Sequence, residues 1–371
     1  MQVLQSKQEI EQEFYDSLYT VSHSFKTVQT YKTAINKLRK FLSDNYQFDE
    51  FELKSKIDQG EIDICQFLRK FVLTMDKDGV KAKAVRTYLS GIKGYLRHLG
   101  IKIDSDDFKQ LVRLPKVIKT REIPLDKETI GRVLRHVSPK LQTAILIAAS
   151  SGLRVGEICR LRISDVDFTS TPTKIHVRAD ATKTRQARET FISSEATHSL
   201  KDYLRSNFDW TESNSGQILE QFIFGKTTTK GKKPTKSGHN PEAAKLTLQS
   251  SLLYYMKKNP ELLTKNENGY HSIHFHGFRK FFRTNVGNVC GRDYAEALMG
   301  HGFYMDTYYQ LPDDKKTQMY LDAEQHLTIS DAQSIEGNLR DLSSKYQTLE
   351  AKMNGIMSYL ERNSIPIPNI H

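Results

Sequence analysis

In the stretch "HFHGFRKFFRTNV", residues 274–286, Phe275, Phe278, Phe281 and Phe282 recur at steps of three and four. That is the spacing of one helix face, and a face carrying four aromatic rings must pack inward on a core. The same stretch holds His276, Arg279, Lys280 and Arg283. Arg279 comes one residue after Phe278 and two before Phe281, which predicts a position at the edge of the buried face. A cation left there without an anion costs several kcal/mol. Either a carboxylate of the chain neutralises it, or the anion arrives with a ligand.

The chain has 371 residues, enough for two domains with cores of their own. A formal net charge of +11 and a sequence pI near 9.3 favour a polyanionic partner. The first residues, "MQVLQSKQEIEQEF", are polar and lack the apolar run of a signal peptide. No stretch of about 18 apolar residues occurs, so no membrane span is expected. Cys65, Cys159 and Cys290 are far apart and odd in number. A disulfide framework or a zinc site is therefore not expected, and a reducing cytoplasm is.

Val28, Tyr31, Ile35, Leu38 and Leu42 predict an amphipathic helix over 27–42, capped by Ser22 or Ser24. A second helix is expected over 62–75. A third, "VKAKAVRTYLSGIKGYLRHLG", turns Val85, Tyr88, Leu89, Ile92, Tyr95 and Leu96 inward. Lys81, Lys83, Arg86, Lys93 and Arg97 then face outward, and Gly100 closes the helix. The outward cations read either as a solvated face or as contacts to DNA, the reading preferred here. With no strong strand pattern before Leu114, residues 1–114 read as a small, basic, all-helical domain. The proline-bracketed 115–124 reads as an interdomain linker, followed by a body over 125–329.

In that body "LDKETIGRVLRHV" and "PKLQTAILIAAS" are helical, the latter apolar almost all round and so deeply buried. "KIHVR" and "RETFI", within 173–193, flank a polar basic turn and predict a β-hairpin. The loop "KTTTKGKKPTK" (226–236) has five lysines and no apolar residue. Its "GKT" lacks the glycine a phosphate-binding loop would need at position 220, which is Glu. Lys230, Lys232 and Lys233 are instead expected to touch phosphates. In the tail, 330–371, Ile335, Leu339, Leu342, Tyr346, Leu349, Met353, Ile356 and Leu360 form a heptad seam that predicts self-association through a coiled-coil-like helix.

Three segments set cations or proton donors in tight apolar surroundings. In "SSGLRVGEICRL" a buried helix ends at Gly152, and Arg154 lies in the turn before the next helix begins near Val155. Glu157 either braces Arg154 for a ligand or forms a purely structural pair with it. The second segment is the opening one, where His276 and Arg279 are three apart. In the third, "LMGHGFYMDTYYQL", His301 follows a glycine and precedes the pair Tyr308 and Tyr309. His271, His274 and His276 lack the carboxylate or cysteine companions of a metal site, and no metal is expected. Arginines, histidines, a lysine and a tyrosine together suit phosphoryl transfer at a DNA phosphodiester. Guanidiniums clamp the non-bridging oxygens. A phenol near pKa 10 becomes a nucleophile only with help, and a lysine can protonate the departing 5′ oxygen.

These segments, in order and spacing, closely resemble the tyrosine recombinases (the integrase family), and in particular an archaeal integrase-like branch. "SGLRVGEICRL", "HGFRKFFRT" and "LMGHGFYMDTYY" carry the resemblance, with the lysine-bearing hairpin between the first two. It implies a mainly α fold with a small antiparallel sheet. A helical, SAM-like core-binding domain would precede a catalytic domain. It further implies that Arg154 and Arg279 clamp the scissile phosphate, Lys183 in "ATKTRQ" is the general acid, His276 assists proton transfer and His301 binds the phosphate. The nucleophile would be Tyr309 or Tyr308. The family's tyrosine falls where this chain has Gln310, so the turn is one residue shorter, and Tyr309 is favoured. Lys280 would add a DNA contact.

The implied function is site-specific cutting and rejoining of double-stranded DNA through a 3′-phosphotyrosine, without metal, ATP or other cofactor. A tetramer on DNA attachment sites, in the cytoplasm with the nucleoid, is the expected assembly. Two other readings stay open: a type IB topoisomerase, and a non-catalytic architectural DNA-binding protein.

Overall fold

The computed structural model describes residues 2–118, 124–208, 210–211, 219–225, 240–266, 269, 271–300, 311–330, 349–350 and 352–353, with side chains from residue 7 onward. It divides into two compact units, Met1–Lys119 and Thr120–His371.

The first unit is helical: α1 (Gln2–Ser22), α2 (Phe25–Asn45), α3 (Glu50–Asp58), α4 (Ile64–Lys77), α5 (Ala82–His98) and α6 (Ser105–Leu111). Ser24 caps α2 by accepting from the Thr27 amide at 3.3 Å. The apolar faces read from the sequence close over one core of Ile35, Leu38, Leu42, Val85, Leu89, Ile92 and Leu96. Gly91 lets α5 approach α2, since a Cβ there would come within 3.2 Å of the Tyr31 ring. α1 went unread in a polar sequence, yet Phe14 and Tyr15 bury one of its faces. A partly buried network ties these helices together. Arg39 bonds Glu50 at 2.6 Å and Glu11 at 2.8 Å, and the Tyr95 hydroxyl reaches Glu50 at 3.3 Å. A buried carboxylate is tolerable when paired and hydrogen-bonded in this way.

The second unit is built round α8 (Pro139–Ser151), which is buried on nearly every side. Around it lie α7 (Lys127–His136), α9 (Val155–Ile158), α10 (Ser194–Phe208), α11 (Pro241–Lys258), α12 (Phe275–Cys290), α13 (Arg292–Met299) and α14 (Asp313–Leu327). The hairpin is β2 (Thr173–Val177) against β3 (Arg188–Ile192), antiparallel with Ile175 opposite Thr190. A two-residue β1 (Val166–Asp167) adds a third strand beside β2, giving order β1-β2-β3. Thr173, Ile175 and Val177 point to the core, as the alternation along β2 requires.

The end of α8 organises the unit. Gly152 closes it with φ +66, and a Cβ there would collide with the Phe282 ring. The last carbonyls of a helix have no partner within it, and here three elements supply them. Tyr320 of α14 donates to Ser150 O at 2.7 Å, Thr190 of β3 donates to Ser151 O at 3.0 Å, and Arg279 of α12 donates to Gly152 O. Among the described residues no helix is long and apolar enough to cross a membrane, and no cluster of three metal-ligating side chains occurs.

Candidate functional site

Arg154 and Arg279 come together. Arg154 leads into α9, whose first turn places Glu157 so that its carboxylate accepts from both the Arg154 amide (2.8 Å) and the Arg154 guanidinium (2.9 Å). The structural pair considered from the sequence therefore exists. It does not exhaust the carboxylate. Arg188, at the start of β3, donates to the same two oxygens at 2.8 and 3.4 Å. Arg279 approaches Glu157 to 3.9 Å. Three guanidiniums thus surround one buried carboxylate, and two of them are hydrogen-bonded to it.

Arg279 was expected at the edge of the aromatic face. It lies inside, 1% exposed. The correction has a physical cause: α13 packs against α12 and brings its own C-terminal carbonyls over the side chain. Arg279 donates to Gly152 O and to Met299 O (2.9 Å), joining the C-termini of α8 and α13. Arg188 Nε takes the neighbouring Leu298 O at 3.0 Å. Helix C-termini favour cations, so this is where a desolvated guanidinium can be kept. Burial, then repulsion from Arg154, pushes the Arg279 pKa down to about 9, against the pull of Glu157. Burial alone would raise the Glu157 carboxyl, but Arg188 and Arg154 hold it below the usual carboxylate range.

Arg154 keeps its side chain 31% exposed, where Glu157 and Arg279 are at 3% and 2%. It is the guanidinium of the three that a solute can reach most directly. His276 is exposed although it shares α12 with Arg279, and Lys280 is half-buried. Both line a cleft of about 1320 Å³ with Arg279, His271, His274 and Leu125. Lys183 is exposed in the β2–β3 turn, which Thr182 closes by donating to Ala179 O and Gln186 O. His301, Tyr308 and Tyr309 lie outside the described residues. So do Lys230, Lys232, Lys233 and all of the heptad seam except Leu349 and Met353, which are helical and exposed.

In the first unit Lys81, Lys83 and Arg86 are exposed, and Arg86 donates to Pro115 O at 3.1 Å. Lys93 instead covers the Phe108 ring, with Nζ 3.5 Å from its centroid. Its pKa is lowered by burial and then by Arg97.

Arg188 was missed in the sequence. Its only local cue is a cation at the first position of a strand, five residues beyond Lys183.

The second unit is thus mostly helical with a small antiparallel sheet, and it gathers arginines from distant segments where two helices end. Residues 123–307 match the phage integrase family, and the chain belongs to that family. Over 112 residues it is 30% identical to the tyrosine recombinase XerA of Thermococcus onnurineus, covering 29% of this chain and 38% of that relative's length. The fold is that of a lambda integrase dimer bound to a COC′ core site (TM-score 0.53, 16% identity, 82% of this chain and 98% of that one). It is equally that of a lambda integrase tetramer bound to a Holliday junction (TM-score 0.52, 16% identity, 83% and 80%).

Proposed function

We propose that this protein is a site-specific DNA recombinase that cuts and rejoins DNA through a covalent tyrosine link to the 3′ end of a strand. The observation that carries the reading is the convergence of Arg154 and Arg279, from distant parts of the chain, on a single buried carboxylate in a member of the integrase family. Two guanidiniums held this way can take the non-bridging oxygens of a phosphodiester and stabilise the charge that builds there.

The Tyr309 phenolic oxygen attacks the phosphorus, and the bond from phosphorus to the 5′ oxygen breaks. His276 takes part in removing the phenolic proton, Lys183 gives a proton to the departing 5′ oxygen, and His301 holds the phosphate. The phosphotyrosyl ester keeps the energy of the broken bond. A 5′ hydroxyl from the same or another strand attacks it, expels the phenol and restores the backbone without ATP or metal. The helical segment 1–114 and the body 125–329, joined through 115–124, would grip the duplex. Lys81, Lys83, Arg86, Lys230, Lys232, Lys233 and Lys280 would supply phosphate contacts. The tail, 330–371, would join copies into a tetramer on DNA, in the cytoplasm with the nucleoid.

The test is incubation with nicked duplexes carrying candidate attachment sites, resolved on denaturing gels. Wild type and Tyr308→Phe should form a protein–DNA adduct, and Tyr309→Phe should form none. An adduct that survives in both phenylalanine variants, or none with wild type, would refute the reading. Relaxation of a one-site plasmid without exchange on a two-site plasmid would point to a topoisomerase.

A further inference from the structure

We propose that Arg188 is a positioning residue of the cleavage site: it occupies the Glu157 carboxylate so that Arg279 is not captured by it, and it fastens the turn at Gly300 to the arginine cluster. The inference rests on the recombinase reading above.

Glu157 offers two oxygens to three guanidiniums. Arg154 takes both through its amide and its side chain, and Arg188 takes both through its planar fork. Arg279 lies 3.9 Å from Glu157, beyond hydrogen-bond range, and donates to Gly152 O and Met299 O. Were Arg188 neutral, the lone pairs it fills would face Arg279, already one short movement away. A guanidinium that settles on a chain carboxylate is a weaker clamp for a phosphate. Arg188 therefore sets how much of the Arg279 charge is available to a ligand.

The second part of the role is geometric. Arg188 Nε holds Leu298 O, and Arg279 holds the next carbonyl, Met299 O. Gly300 follows with φ +66, and a Cβ there would come within 2.7 Å of Arg188 Cδ. Arg188 therefore packs against the turn from which the chain leads into His301. One side chain, 9% exposed, joins the base of the lysine hairpin, the Glu157 brace and the end of α13. Only arginine has the donors for this. A lysine has a single nitrogen and cannot serve a carboxylate edge and a carbonyl behind it in fixed geometry.

The experiment uses the full chain and a nicked duplex at which wild type forms its adduct, with protein in excess. Adduct formation in a single turnover, DNA affinity and melting temperature are read separately. Arg188→Gln should slow adduct formation by about 10- to 100-fold, the scale of a misplaced reacting group, with DNA affinity within about threefold of wild type. Arg188→Lys should regain the melting temperature and little of the rate. In a Glu157→Gln background the further loss from Arg188→Gln should shrink, because no carboxylate remains to capture Arg279. A parental rate in Arg188→Gln overturns the proposal. So do losses that simply add in the double variant, or a rate that follows melting temperature in both single variants. No adduct with wild type would overturn the recombinase reading instead.

Discussion

Arg279 is stable where it lies because its charge is answered by the C-termini of α8 and α13 as well as by a distant-edged Glu157. Replacement by alanine removes repulsion from Arg154 and Arg188 and at the same time orphans two carbonyls. An orphaned buried group costs about 1–3 kcal/mol, so Arg279→Ala should melt lower while still folding. Its cleavage should fall about 10²- to 10³-fold, the loss seen when one donor to a developing oxyanion is removed, and DNA affinity should change little. Cleavage at the parental rate would end the clamp assignment. Glu157 makes a second prediction. Its carboxyl is held low by the arginines, so on acidification the unfolded chain binds the proton first. The stability it contributes is whole above the ordinary value of about 4.3 and is lost as pH falls through the folded value. Glu157→Gln should begin less stable at neutral pH and lose less than wild type between about pH 5 and 3, as followed by thermal melts.

At the scale of elements, the helices that carry a continuous apolar face were legible: α2, α4, α5, α7, α8 and α12, together with the β2–β3 hairpin. α14 was not, because only Tyr320, Ala323 and Leu327 of its residues are buried, too few for a visible period. The pairing of Arg154 with Glu157 could be read because it spans one helical turn. Arg188 and the full burial of Arg279 could not, since both depend on where α13 ends after folding, and no local spacing encodes that. The carbonyls at the end of α8 test the same point. Tyr320→Phe removes the donor to Ser150 O in a buried site and should cost about 1–3 kcal/mol. Because α14 follows the segment holding Tyr308 and Tyr309, adduct formation should slow as well. A melt and a cleavage rate both equal to wild type would mean that α14 is held by packing alone.

Across the whole molecule the net charge is +11, and the placement of its lysines separates two kinds that look alike in sequence. Lys81 and Lys83 are exposed at the start of α5. Lys93, about three turns further along, lies over the Phe108 ring. If the first unit meets DNA through its charge, each phosphate contact releases counterions and steepens the fall of affinity with salt. The pair Lys81→Ala and Lys83→Ala should then weaken binding to cognate and unrelated duplexes alike, and flatten the slope of log K against log salt by about two. Lys93→Ala should leave that slope where it was and lower the melting temperature instead, by the loss of a cation–π contact worth about 0.5–1 kcal/mol. A salt titration at several concentrations, run beside thermal melts, reads both effects. If Lys93→Ala flattened the slope and the Lys81, Lys83 pair did not, the DNA-facing side of α5 would be the one that carries Lys93.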